Sequence, residues 1–223
     1  MLDLGTGAFA NLRRYVDYDR LGGVVISHMH ADHFIDLIPL RYALRYGERR
    51  RAAKLPVYLP PGGIALLRAM VSAFPREGAG DFLDETFALA EYDPSRPLAV
   101  DGATLRFAHT THYIPAFAMR WERNGASVTY SADTAPDERV VALARETDLF
   151  LCEATLRRGD VEPGMRGHSS AAEAATMARD AGVRRLMLTH YPEESTALDL
   201  DVSAREIFAG EILVADDHRT TDL

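Results

Sequence analysis

One stretch limits this chain more than any other: Val24-Val25-Ile26-Ser27-His28-Met29-His30-Ala31-Asp32-His33-Phe34, which reads HxHxDH behind a short apolar run. The β-branched residues that follow Gly22-Gly23 have the signature of a short buried strand. The metal-ligand types therefore sit at the end of a strand. In extended chain, residues two apart face the same way at roughly 6 to 7 Å, so His28 and His30 can converge on one ion. Asp32 and His33 follow where the chain must turn, and can face a second. A helical zinc motif would pair the same residues by i,i+3 and i,i+4 spacing, but the Glu of HExxH is missing and the run upstream is strand-like.

Composition narrows the chemistry. The single cysteine, Cys152, permits no internal disulfide and no cysteine-rich zinc site, so a metal must be held by carboxylates and by some of the eight histidines. A cytoplasmic location is the expectation, with no secretory signal and no apolar run near the roughly 20 residues that span a membrane. A net charge of −8 argues against a large sequence-blind nucleic-acid surface. The Arg49-Arg50-Arg51, Arg157-Arg158 and Arg184-Arg185 runs read first as solvated faces. At 223 residues the chain is expected to form one domain, 1–223.

In chain order, Leu2 to Gly7 reads as a strand end running into a glycine turn, followed by a helix carrying Leu12, Tyr15 and Val16. A helix ending near Gly47 follows the motif, then a strand over 55–59, a helix over 64–74 and a loop over 75–84 placed to cap a cleft. A β-rich stretch covers 86–92, 98–100, 104–108, 116–122 and 127–130. Thr134 to Asp137 offers a helix start with a capping-box-like Thr and Asp, 148–152 a buried strand, and Ser170 to Glu173 a capping box for a helix closing at Gly182. A strand over 185–188, a helix over 198–208 and a strand over 212–215 complete the chain. Such an order suits two sheets sandwiched between helices.

Three further polar residues follow predicted strands: His112, Asp133 in Ser131-Ala132-Asp133-Thr134, and His190. Each alone reads as a capped strand end, but with HxHxDH they form a constellation. The chain resembles the metallo-β-lactamase-fold hydrolases, above all the branch containing tRNA 3′-processing ribonuclease Z and related phosphodiesterases. The resemblance implies an α/β, four-layer αββα sandwich that here lacks the family's first N-terminal strands. It implies that His28, His30 and His112 hold one metal and Asp32, His33 and His190 the other, with Asp133 between them. Two zinc ions are expected, with manganese an alternative, and a bridging hydroxide as nucleophile, its proton handled by Asp32 or by the bridging hydroxide network.

Gly167-His168-Ser169-Ser170 and Leu151-Cys152-Glu153-Ala154-Thr155 resemble the branch's histidine and glutamate segments. The implied roles are phosphate contact and proton donation for His168, and orientation of that ring by Glu153. His109 and His218 are assigned to no site. The expected substrate is a small phosphodiester, such as a cyclic nucleotide, or an RNA end, since no arm-like Gly/Pro-rich insertion is present. Lactone, ester or sulfate-ester hydrolysis and a non-catalytic metal-binding role are the alternatives. A homodimer is the weaker expectation drawn from the family.

Overall fold

The computed structural model describes residues 1–49, 51–74 and 82–223, and these divide into two compact units, Met1–Asp93 and Pro94–Leu223. Arg50 of the arginine run and residues 75–81 of the expected capping loop lie outside the described residues. Of its described part, 82–84, Phe82 and Leu83 are buried in the core of the first unit.

The first unit carries a three-stranded parallel sheet in the order β1-β2-β3, with β1 at Val24–Val25, β2 at Leu55–Leu59 and β3 at Phe87–Glu91. Parallel neighbours need crossovers, and helices supply them. Between β1 and β2 run α2 (Ala31–Phe34) and α3 (Leu37–Tyr46), and between β2 and β3 runs α4 (Gly63–Ser72). The alternating burial of Leu55, Val57 and Leu59 gives β2 one face on a core that also holds Ile26, Leu37, Leu40, Leu67 and Phe87. Upstream, α1 covers only Ala8–Leu12. Tyr15 and Val16, expected on that helix, lie beyond it and are exposed, so no buried face is there to prolong it.

The second unit carries seven strands in the order β10-β9-β8-β7-β6-β5-β4. They are β4 (Leu98–Val100), β5 (Ala103–His109), β6 (Phe117–Arg123), β7 (Ala126–Tyr130), β8 (Leu149–Glu153), β9 (Arg185–Thr189) and β10 (Glu211–Val214). From β4 to β7 neighbours are antiparallel, and Asn124 and Gly125, both at positive φ, make the tight β6–β7 turn. From β7 to β10 they are parallel, joined through α5 (Glu138–Ala144), α6 (Ala171–Ala181) and α7 (Ala197–Arg205).

The alanine face of α6 lies in a core with Phe150, Leu186, Leu188 and Phe208. The Ser170/Glu173 capping box forms as expected, and Gly182 ends the helix in the left-handed conformation. The start of α5 differs from expectation. Asp137, not Thr134, accepts from Arg139 N; the Thr134 hydroxyl is turned to Thr111 N and the Ala135 carbonyl, and its amide donates to the buried Glu153 carboxylate at 2.7 Å. No helix among the described residues is long and apolar enough to cross a membrane.

Candidate metal centre

In the first unit the candidate ligands follow directly from strand geometry. Val24 and Val25 are locked in the sheet and Ile26 N still bonds Tyr58 O at 2.9 Å, so His28 and His30 leave the sheet in extended chain. Their rings lie 5.0 Å apart between centroids. The expected turn after them is the single helical turn α2, with His30 at its N-cap, and it carries Asp32 and His33. The His33 Nε2 lies 3.4 Å from Asp32 Oδ2.

Asp3 is the organising group behind these ligands. Its buried carboxylate accepts from Ser27 N at 2.6 Å and Ser27 Oγ at 2.7 Å, and receives His33 Nδ1 at 2.8 Å. A carboxylate facing an imidazole only accepts, so His33 carries its proton on Nδ1 and turns the Nε2 lone pair away from Asp3. Ser27 has one hydroxyl proton, committed to Asp3. The 3.0 Å contact from Ser27 Oγ to His28 Nδ1 then places the His28 proton on Nδ1 too. Ligand atoms of Asp3, His28 and His33 all lie within 4.8 Å of one another. Tyr92, whose hydroxyl is buried and pushed up in pKa first by that burial and then by Asp3, donates to the Ile26 carbonyl at 3.0 Å with the Ser27 carbonyl 3.2 Å away, and holds this strand end from behind.

In the second unit, three strand ends carry its candidate ligands. His112 follows β5, Asp133 follows β7, and His190 follows β9, each just past the last ladder pair. Asp133 is buried and its two oxygens face different imidazoles. Oδ2 lies 3.8 Å from His112 Nε2 and Oδ1 lies 3.7 Å from His190 Nε2. Those separations exceed hydrogen-bond reach. They are close to the roughly 3.4 Å edge spanned by two ligands of a tetrahedral zinc with bonds near 2.0 to 2.1 Å. Neutral imidazoles and a buried carboxylate are the donor chemistry of zinc or a similar divalent ion, so the residues fit such a group.

A family model for the beta-lactamase superfamily domain matches residues 2–191. The chain belongs to that superfamily. Among its relatives is the probable metallo-hydrolase YhfI of Bacillus subtilis, 28% identical over 217 residues, covering 96% of this chain and 84% of YhfI. The crystal structure of YhfI aligns with a TM-score of 0.84 at 26% identity over 97% of this chain and 84% of that one. The ribonuclease Z of Archaeoglobus fulgidus is 26% identical over 255 residues, covering 89% of this chain and 80% of the enzyme. The crystal structure of the short form of human tRNase Z shares the fold, with a TM-score of 0.70 and 21% identity over 98% and 85% of the two chains. The chain thus has the α/β superfamily fold, two sheets flanked by helices, and a His/Asp donor set typical of a metal-dependent hydrolase.

Beside the superfamily's donor set stands His168. Its Nδ1 meets Glu153 Oε1 at 2.9 Å, and ligand atoms of Asp133, His168 and His190 lie within 4.8 Å of one another. Burial pushes His168 down in pKa, but the bond to Glu153 and the charges of Glu153, Asp133 and Glu162 outweigh it, so the net shift is upward. Glu153, at the buried end of β8, also accepts from Thr134 N and Ser169 N, which fixes its carboxylate before His168 meets it.

Of the histidines left unassigned, His109 bonds the Thr110 carbonyl at 2.9 Å and is exposed, as is His218. Three residues behind the donors went unread in the sequence. Asp3 and Ser27 were visible as polar residues at strand ends. Glu162 was hidden in a loop: it accepts from Gly167 N, His168 N and the Tyr113 hydroxyl, and so shapes the segment that carries His168 and offers Gly167 O to His112 Nδ1 at 2.9 Å.

Proposed function

We propose that this chain is a dinuclear metal-dependent phosphodiesterase in which His28, His30, Asp32, His33, His112, Asp133 and His190 hold two divalent ions, zinc first. The observation that supports a phosphodiester most is His168, protonated on Nδ1 against Glu153, raised in pKa, and set beside Asp133 and His190. When bound, two such ions supply positive charge to a phosphoryl group and acidify water. The protein's own part is to place charge and protons around them. His168 holds a proton at Nε2, directed away from Glu153, for the leaving oxygen of the ester. Glu153 keeps the ring in that tautomer and stabilises its charged form. Gly167, His168 and Ser169 lead into the N-terminus of α6, whose dipole favours a phosphate nearby. The resemblance to ribonuclease Z supports the same bond class, with a small diester or an RNA end as substrate.

The test is the zinc content of the purified protein together with hydrolysis of bis(p-nitrophenyl) phosphate. About two equivalents per chain and metal-dependent cleavage, lost in Asp133→Ala, are expected. Full activity in Asp133→Ala would overturn the assignment, and faster turnover of a lactone or carboxylic ester than of any diester would move the substrate class.

A further inference from the structure

His33, His112 and His168 each set Nδ1 against an oxygen that can only accept. His190 is different, because its Nδ1 meets a hydroxyl, Thr155 Oγ1, at 2.9 Å. A hydroxyl can donate or accept, so the contact alone leaves the tautomer open. A second contact closes the question. The same Thr155 Oγ1 lies 2.9 Å from the His190 carbonyl oxygen, and a carbonyl has no proton to give. The single Thr155 hydrogen therefore goes to that carbonyl. The remaining contact is a hydrogen bond only if His190 carries its proton on Nδ1. Nε2 then presents a lone pair on the side where Asp133 Oδ1 lies at 3.7 Å.

We propose that Thr155 is the positioning residue of His190, fixing its tautomer and ring plane for metal ligation; the proposal rests on the reading of His190 as a ligand given above. The surrounding backbone makes the placement rigid. Glu153 pairs with Thr189 across β8 and β9, Ala154 N bonds Thr189 O at 2.8 Å, and Thr155 N reaches Glu153 Oε2 at 3.2 Å. Thr155 is β-branched and so stiff at χ1. His190 stands at φ 51, a left-handed conformation unfavourable for its side chain, and the bond from Thr155 to its carbonyl helps to hold it there. One short segment thereby orients two imidazoles, Glu153 that of His168 and Thr155 that of His190. The two rings consequently lie nearly parallel, 14° apart in plane and 6.0 Å between centroids.

The test compares the unsubstituted protein with Thr155→Ser, which keeps the hydroxyl, and Thr155→Val, which keeps the shape. Long-range proton–nitrogen spectra of the metal-free proteins at about pH 8, above the ordinary histidine pKa, read the His190 tautomer, and competition with a chromophoric chelator reads zinc affinity. The unsubstituted protein and Thr155→Ser should give the Nδ1–H form and matching affinities. Thr155→Val should give mixed tautomers and bind zinc about 10- to 100-fold more weakly. Should Thr155→Val not fold, Thr155→Ala carries the same comparison. An Nδ1–H signal and zinc affinity both unchanged in the Val or Ala variant, or an Nε2–H form in the unsubstituted protein, would overturn the proposal. A protein that takes up no zinc would instead sink the metal reading, while the metal-free spectra still decide what Thr155 does.

Discussion

Asp3 touches three groups with one carboxylate, and each contact depends on its having no proton to donate. Asp3→Asn replaces one acceptor oxygen with an NH2 that would face either Ser27 or the Nδ1–H of His33. A donor would then meet a donor in a buried place, at a cost of about 1 to 3 kcal/mol. The expected outcome is a lower urea midpoint for the metal-free protein and zinc affinity weaker by about 10- to 100-fold; both unchanged would mean that the ligands hold themselves. His168→Ala should behave in the opposite way. If His168 delivers a proton rather than holding an ion, zinc stoichiometry stays at its original value while diester hydrolysis falls by about 10²- to 10⁴-fold. Loss of one zinc equivalent in that variant would make His168 a ligand. Ala132 adds a point at this scale. It is buried between Ser131 and Asp133 at φ 52, a left-handed conformation that costs a residue with a Cβ and that glycine would adopt freely.

At the scale of elements, the end of the N-terminal segment is what positions α2. Leu4 N bonds His33 O at 2.8 Å and Asp36 N bonds Leu4 O at 3.1 Å, so residues 3 to 5 clamp the helical turn that carries Asp32 and His33. A Cβ on Gly5 would stand 1.7 Å from the Asp32 carbonyl oxygen. The obstacle is backbone, which no rotamer change can relieve. Gly5→Ala should therefore destabilise the protein by about 3 kcal/mol or more and abolish zinc binding, read by thermal unfolding and metal analysis; a variant as stable as its parent would show that the clamp yields. The Leu2 to Gly7 stretch was legible as a strand end and tight turn, but not as the partner of α2, because that closeness joins residues about thirty apart. The strands β2, β4 and the cap of α6 were legible since alternation, turn residues and a capping box act within a few positions. The helix expected through Tyr15 and Val16 and the Thr134 cap failed for the opposite reason. Distant groups bear on both, the burial available to one and the Thr111 and Glu153 partners of Thr134 in the other. The HxHxDH residues stand out in the sequence because their types are rare together, whereas Ser27, Thr155 and Glu162 are common types whose meaning lies only in what they face.

For the molecule as a whole, acid sensitivity follows from carboxylates used as structural acceptors. Burial pushes Asp137 up in pKa, but the side chain and backbone of Arg139 and the Thr111 hydroxyl more than offset it, and the net shift is downward. Asp148 is lowered first by the Ser127 hydroxyl, which with Ser127 N ties the start of β7 to the start of β8. Glu173 is raised by burial and lowered further by Arg166 and Ser170 within the α6 cap. A carboxyl whose folded pKa lies below its unfolded value contributes stability that is fully present above the unfolded value, near 4. That contribution is lost as pH falls through the folded pKa. The urea midpoint of the metal-free protein should accordingly drop as pH goes from about 5 to about 3. Asp148→Asn isolates one share of the effect, because an amide has no proton to take up. That variant should start with a lower midpoint at neutral pH and fall by less over the same acid interval. A fall as steep as the parent's would place the acid sensitivity in other carboxylates, and an unchanged neutral midpoint would mean that the β7–β8 tie adds nothing to stability.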